Sequence, residues 1–316
     1  MDNSEIVVSV CCITYNHAPY IRQCLDGFIM QKTDFAFEVL IHDDASTDGT
    51  TEIIMEYENK YPDIIKPIYE EENQWVKGRR GSAVFNYPRA KGKYIALCEG
   101  DDYWTDPMKL QKQVDFLENN LDFGLVYTKT NVFNEANGRM ENYCFGMPAS
   151  CFDDLVRCNC IPTLTVCYRK SLLERYYRDV IISSTWKMGD YPLWLYISMK
   201  TNIHFLDEIT AVYRSLPSSA SHHLDINRQL AFYKSSSEIC AYFIKFAERY
   251  DLDKVYRQKY FDLVVSTYIS YGFPVPIDSV RQYWIWQPKS LIKLLYCRLR
   301  FFKNRKKKIY EAKRSK

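Results

Sequence analysis

Residues 6–13, Ile-Val-Val-Ser-Val-Cys-Cys-Ile, form a β-branched run with no polar helical face, and Thr14-Tyr15-Asn16-His17-Ala18-Pro19 breaks it. The pattern predicts a buried strand followed by a loop. Apolar residues then recur at Ile21, Cys24, Leu25, Phe28 and Ile29, the stripe of a helix lying on a sheet. A second strand is predicted over 37–42. After it, Asp43-Asp44-Ala45-Ser46-Thr47-Asp48-Gly49-Thr50 supplies turn and cap residues, and Ile53, Ile54 and Tyr57 give a second helix its apolar face. Residues 93–98, Lys-Tyr-Ile-Ala-Leu-Cys, predict a third strand running directly into Glu99-Gly100-Asp101-Asp102, after which Pro107 opens a helix carrying Leu110, Val114, Phe116 and Leu117. Strand alternating with helix predicts the α/β class, with a mostly parallel sheet flanked by helices.

Farther along, 124–128 and 161–168 read as strands, and 190–199 as a helix rich in Leu, Trp and Tyr. From Asp225 to about Tyr271 the pattern turns helical with few Gly or Pro, which predicts a C-terminal helical appendage. The expected organisation is a sheet domain over 1–215, a helical region over 216–282 and a basic amphipathic tail over 283–316.

Composition narrows the setting. A chain of 316 residues with 47% apolar and 16% aromatic content has enough material for a substantial core. It lacks a run of about 18 uncharged apolar residues, and Met1-Asp2-Asn3-Ser4-Glu5 is neither basic nor apolar. The eleven cysteines are an odd number scattered among apolar residues, the pattern of reduced core thiols, so a cytoplasmic protein is expected. Cys158 and Cys160 have no second Cys/His pair at zinc-ligand spacing and read as packing residues.

The net charge of +3 conceals an asymmetry: residues 289–316 hold 12 Lys/Arg and one acid, leaving 30 basic and 38 acidic residues before them. Trp284, Trp286, Leu291, Leu294, Leu295, Phe301 and Phe302 are interleaved with Lys289, Lys293, Arg298 and Arg300. Aromatic anchors among basic residues fit an interfacial helix on anionic lipid, and hence peripheral attachment to the inner face of the cell membrane rather than nucleic-acid binding. The bland alternative is a core-packing helix with a basic tail.

Parallel sheets bind ligands beyond the carboxyl ends of their strands, where Asp43/Asp44 and Glu99/Asp101/Asp102 would gather. Carboxylates set together repel unless a cation intervenes, and oxygen ligands favour Mg2+ or Mn2+, whose shell substrate phosphates often complete. A nucleotide donor follows from that chemistry. An isolated acidic run can also be a polar turn.

The segments Val8-Ser9-Val10 through Asn16, Asp43 through Thr50, and Gly92 through Asp102 resemble glycosyltransferase family 2 in order and spacing, over roughly residues 5–215. The resemblance implies the GT-A fold, a Rossmann-like architecture, with a nucleotide-sugar donor, Mn2+ or Mg2+, and inversion at the anomeric carbon. It implies that Thr14 and Tyr15 border the nucleotide, that Asp44 accepts a hydrogen bond from the base, and that Asp101 and Asp102 form the DxD-like end, with Asp102 the principal metal ligand. Glu99 stands where Asp is more common. Met188-Gly189-Asp190-Tyr191-Pro192 resembles the family's motif at a helix start and implies Asp190 as catalytic base, a residue that would equally cap its helix. Arg89 is a weaker donor-site candidate. Tyr213-Arg214 and Ser219 through His222 resemble the segment where a His or Arg approaches the diphosphate, which brings in His222.

The expected function is an inverting glycosyltransferase using a nucleoside-diphosphate sugar, UDP-linked first, on a lipid-linked or surface-polysaccharide saccharide. The alternatives are a non-catalytic scaffold that binds nucleotide sugar or membrane, and a sugar nucleotidyltransferase. The latter wants a glycine-rich loop after the first strand, where this chain has none. A decayed scaffold should have lost a metal carboxylate or the base, and Asp44, Asp101, Asp102 and Asp190 all stand.

Overall fold

In the computed structural model the described residues are 5–79, 81–216 and 225–276, together with Ile292 and Tyr296. The proposed tail therefore lies almost wholly outside them, as does His222. The chain divides into two compact units. Met1–Leu155, Cys160–Ile181 and Tyr196–Leu216 form the first, and Val156–Asn159, Ile182–Leu195 and Pro217–Lys316 the second.

The first unit is built on one nine-stranded sheet. Strands β1 (Ile6–Thr14), β2 (Ala36–Asp43), β3 (Ile65–Tyr69) and β4 (Tyr94–Leu97) are mutually parallel in the order β3-β2-β1-β4. The short β5 (Tyr103–Trp104) follows, then β6 (Phe123–Asn134), β7 (Arg139–Phe145), β8 (Cys167–Arg169) and β9 (Asn202–Ser215). β8 runs antiparallel between β4 and β6, β9 pairs parallel to β6, and β5 and β7 close the ladder antiparallel to β9 and β6. Helices α1 (Ile21–Ile29), α2 (Thr50–Lys60) and α3 (Lys109–Asn119) flank it, with the short α4 (Phe152–Arg157) and α5 (Lys170–Asp179) farther along the chain.

Alternation along β1 explains its core. Val8, Val10 and Cys12 join Ile21, Cys24, Leu25 and Phe28 of α1 and Val39 and Ile41 of β2 in one buried cluster. The intervening Ser9 is also buried, and its hydroxyl donates to Glu38 Oε1 at 2.7 Å. The same carboxylate accepts Lys91 N–H at 2.8 Å, while Gly92 N–H donates to Ser9 Oγ at 2.8 Å, so a buried acid sets the entry to β4. A Cβ at Gly92 would stand 2.4 Å from Ser9 N and 2.7 Å from Val8 C, both backbone atoms. Gly92→Ala is therefore expected to destabilise by about 2 kcal/mol, the scale of overpacking a tight site, as a lower urea midpoint at unchanged slope.

The expected strand over 161–168 is corrected. Pro162 and a 3-10 turn at Thr163–Thr165 precede the sheet, because Thr165 Oγ1 donates to Pro162 O at 2.8 Å and Thr128 O at 3.1 Å, and only Cys167–Arg169 enters the ladder.

In the second unit, α7 (Ile226–Phe246) and α8 (Asp253–Ser270) bury Tyr260, Phe261, Val264, Val265 and Val275 with Leu230, Tyr233 and Tyr268 against them. Asp225 caps α7, accepting N–H bonds from Asn227 at 2.7 Å and Arg228 at 3.0 Å. The boundary between the units falls inside α6 (Asp190–Lys200), at Leu195/Tyr196.

Candidate active site

Register brings the acidic motifs together at one sheet edge. Thr14 pairs with Asp43 across β1 and β2, Asp44 N–H donates to Thr14 O at 3.0 Å, and Gly100 N–H donates to Ile13 O at 2.9 Å. Thr14, Asp44 and the Glu99–Asp102 turn thus share the carboxyl ends of three parallel strands. Thr14 Oγ1 is buried and has no hydrogen-bond partner among the described residues. A Cβ at Gly100 would stand 2.6 Å from that oxygen, which is why the turn needs glycine there.

The loops beneath this edge are stitched to one another. Asn16 N–H donates to Ser46 Oγ at 2.9 Å, Thr47 N–H to Asn16 Oδ1 at 2.8 Å, His17 N–H to Thr50 Oγ1 at 2.8 Å, and Ala18 N–H to Asp48 Oδ2 at 3.0 Å. Asp43 is spent locally: its carboxylate accepts the hydroxyls of Ser46 and Thr51, each at 2.5 Å. Asp44 is buried, and its oxygens accept Gln74 N–H at 2.6 Å and Trp75 N–H at 3.2 Å, which leaves lone pairs for a further donor. Tyr15 and Trp75 are exposed, at 46% and 66%.

Asp102 is buried beside Asp101 and Glu99. Burial above all, and then the two neighbouring acids, push its carboxyl well above the usual carboxylate range, while Arg214 pulls the other way. Its Oδ1 accepts Arg214 N–H from β9 at 2.7 Å. His17 stands nearby with a buried Nδ1 that lacks a partner among the described residues; burial lowers its pKa, against the pull of Asp101, Asp48 and Asp43.

Among the described residues no three His, Cys, Asp or Glu side chains form a cation cage by themselves. Mg2+ and Mn2+ do not require one, since one or two carboxylates and substrate phosphates complete the shell. The donor set fits such an ion: all oxygen, with a buried carboxyl whose ionised form needs a cation.

Arg89, expected at the donor, is committed elsewhere. Nη1 donates to Lys66 O at 2.8 Å, and Nη2 donates to Ile41 O at 2.9 Å and Asn86 Oδ1 at 3.0 Å, tying strand carbonyls together. Arg214, by contrast, sits at the acidic turn. The family resemblance placed Tyr213-Arg214 in the segment near the diphosphate, but its ties to the acidic turn were not legible, because its neighbours come from three separate segments.

Asp190 belongs to the second unit, half-buried at the first residue of α6, where Oδ1 accepts Tyr191 N–H at 2.7 Å. The segment leading to it is anchored on α7: Lys187 N–H donates to Ser235 Oγ at 2.7 Å, Tyr191 Oη lies 3.0 Å from Cys240 Sγ, and Trp186 meets Tyr242 edge-on. A side-chain carbon at Gly189 would meet nothing within 4 Å, so the residue before Asp190 borders open space.

Residues 9–178 match the family model described as Glycosyl transferase family 2. An uncharacterized protein of Mycobacterium tuberculosis is 37% identical over 212 residues, 66% of this chain and 58% of the relative, so the chain spans under two thirds of that relative's length. Among solved structures, Staphylococcus aureus TarS 1–349 in complex with UDP-GlcNAc has a TM-score of 0.62 at 17% identity, covering 95% of this chain and 92% of that one. The mannosyltransferase PcManGT from Pyrobaculum calidifontis, in complex with GDP-Man and Mn2+, has a TM-score of 0.53 at 17% identity, covering 93% and 87%.

Proposed function

The chain belongs to glycosyl transferase family 2 and has the GT-A fold, and from that premise we propose that it transfers a sugar, with inversion, from a nucleoside-diphosphate sugar to an acceptor hydroxyl. The observation that carries the reading is the buried Asp102 carboxyl, set among Asp101 and Glu99 at the carboxyl edge of the parallel strands. UDP-sugars come first as donors, a choice supported by TarS binding UDP-GlcNAc, with GDP-Man in PcManGT as the comparison.

Thr14, Tyr15 and Asp44 border the nucleotide, with Glu99 and Asp101 toward its ribose and His222 toward its diphosphate. Arg89 is left out, its two terminal nitrogens donating to the carbonyls of Lys66 and Ile41 and to the Asn86 side chain. Asp102, with Asp101, would hold Mn2+ or Mg2+, which when bound supplies charge neutralisation at the departing diphosphate. Asp190 accepts the proton of the acceptor hydroxyl, which is thereby freed to attack the anomeric carbon from the face opposite the leaving group. Residues 1–215 supply the donor site, 216–282 a helical region and 283–316 a basic contact with anionic membrane on the cytoplasmic side. That contact favours a lipid-linked or surface-polysaccharide acceptor. No helix among the described residues is long and apolar enough to cross a membrane.

Thermal shift with UDP-sugars and GDP-Man, with and without Mn2+, tests the reading. A cognate donor at a hundredfold excess over its Kd stabilises by about 2.7 kcal/mol. That shift should require Mn2+ and vanish in Asp102→Ala. A folded protein indifferent to every donor would instead be a non-catalytic scaffold.

A further inference from the structure

Arg214 is 6% exposed and touches three segments of the first unit. Its backbone N–H holds Asp102 Oδ1 at 2.7 Å, and Nη1 donates to the Asp101 carbonyl at 3.3 Å. Nε donates to Glu135 Oε1 at 3.1 Å, just past β6, and Nη2 donates to Gln23 on α1. The guanidinium carbon lies 4.6 Å from the Tyr103 ring centre and 5.1 Å from that of Tyr20. A planar fork stacked between rings fixes direction as well as charge, which a lysine cannot reproduce.

The geometry assigns Arg214 the task of positioning the Asp101–Asp102 carboxylates for the divalent cation, an inference that rests on the metal-dependent reading above. The turn it secures is also held by backbone bonds from Gly100 N–H to Ile13 O at 2.9 Å and from Asp102 N–H to Glu99 O at 3.1 Å, and by the Cys24 thiol donating to Glu99 O at 3.4 Å. Three acids in four residues repel, and the turn would splay without a fixed cation against it. Arg214 supplies that cation from outside the metal's shell, since its side chain is engaged with Glu135, Gln23, the Asp101 carbonyl and two rings.

Charge alone and positioning predict opposite signs. Removing a nearby positive charge should tighten Mn2+ binding, whereas loosening the turn should weaken it. Outer partners of metal ligands typically contribute 10- to 100-fold in affinity. A comparison residue is available in Arg169, which ties Leu117 O at 2.5 Å, Phe123 O at 2.9 Å and the Tyr94 hydroxyl at 3.2 Å, none of them in the acidic turn.

The experiment titrates Mn2+ into the full chain with saturating UDP and reads free Mn2+ by electron paramagnetic resonance, beside a melting curve. Arg214→Met and Arg214→Lys should raise the Mn2+ Kd by about tenfold or more, and Glu135→Gln, which keeps Arg214 itself, by a smaller factor. Arg169→Met should lose stability with its Mn2+ Kd within about twofold of the parent. If Arg214→Met melts too early for titration, Arg214→Lys and Glu135→Gln decide alone. Wild-type or tighter Mn2+ binding in the Arg214 variants, or an equal loss in Arg169→Met, overturns the positioning role only. A parent protein that holds no Mn2+ with UDP overturns the metal-dependent reading, and this inference with it.

Discussion

Asp190→Asn is expected to lower turnover about 10³-fold, the middle of the range for general-base catalysis, with donor affinity within twofold of the parent. The substitution is nearly isosteric and keeps an oxygen able to accept Tyr191 N–H, so the start of α6 survives. The anchors on Ser235 and Cys240 do not involve the carboxylate and stay in place. What disappears is the capacity to take a proton at neutral pH. The check is nucleoside diphosphate release from the donor identified by thermal shift, with a membrane extract as acceptor source, alongside calorimetric donor binding. Turnover near that of the parent would place the base elsewhere. A matching loss of donor affinity would make Asp190 a donor contact.

The second large effect concerns stability. Lys109 on α3 is fully buried, its Nζ 2.9 Å from Gln113 Oε1 and 4.1 Å from the Trp104 ring centre. Burial pulls its pKa from 10.5 down to about 8. Below pH 8 the amine is charged in both states and folding carries the whole desolvation cost. Between about 8 and 10.5 the unfolded chain holds more protons, so stability rises with pH by a total of ~3 kcal/mol. Lys109→Met removes this slope and also strands Gln113 Oε1, so the two proteins start from different stabilities. The readout is therefore the difference between their urea unfolding energies under reductant, followed from pH 7 to pH 10.5. It should move toward the parent by ~3 kcal/mol. Taking a difference cancels the buried thiols Cys98 and Cys167, whose pKa values burial raises to about 12. Parallel curves would mean that the buried lysine keeps its proton up to pH 10.5, with its pKa not lowered by folding.

The strands and helices that place the donor edge were legible because their apolar patterns are uninterrupted: β1, β2, β4, α1, α2 and α3 lie where periodicity put them, within a few residues. β3 was not, since Pro67 sits at its centre. A proline lacks the N–H for a central ladder, and β3 survives as the edge strand of the sheet. β9 was missed because Asp207-Glu208 interrupt its alternation, and its register against β6 shifts there. The helical stretch from Asp225 to Tyr271 is broken over Ala247–Leu252, with Glu248 at φ 56°, a detail that polarity alone does not reveal. At the site, motifs announced which carboxylates matter but not how they are used. Asp43 serves its own turn, and Arg89 serves the sheet. The contacts of Arg214 span 191 positions of sequence to Gln23, beyond any local pattern.

The cross-linked loops after β1 and β2 bear on thermodynamics as well as shape. Four hydrogen bonds already join Asn16, His17 and Ala18 to the 46–50 turn before any nucleotide arrives. Ordering an interface segment on association costs roughly 0.5–1.5 kcal/mol for each immobilised rotamer-rich side chain, and here much of that ordering belongs to folding. Donor binding at this edge should consequently carry a small entropic penalty and a heat-capacity change in line with contact area alone, with no added signature of coupled folding.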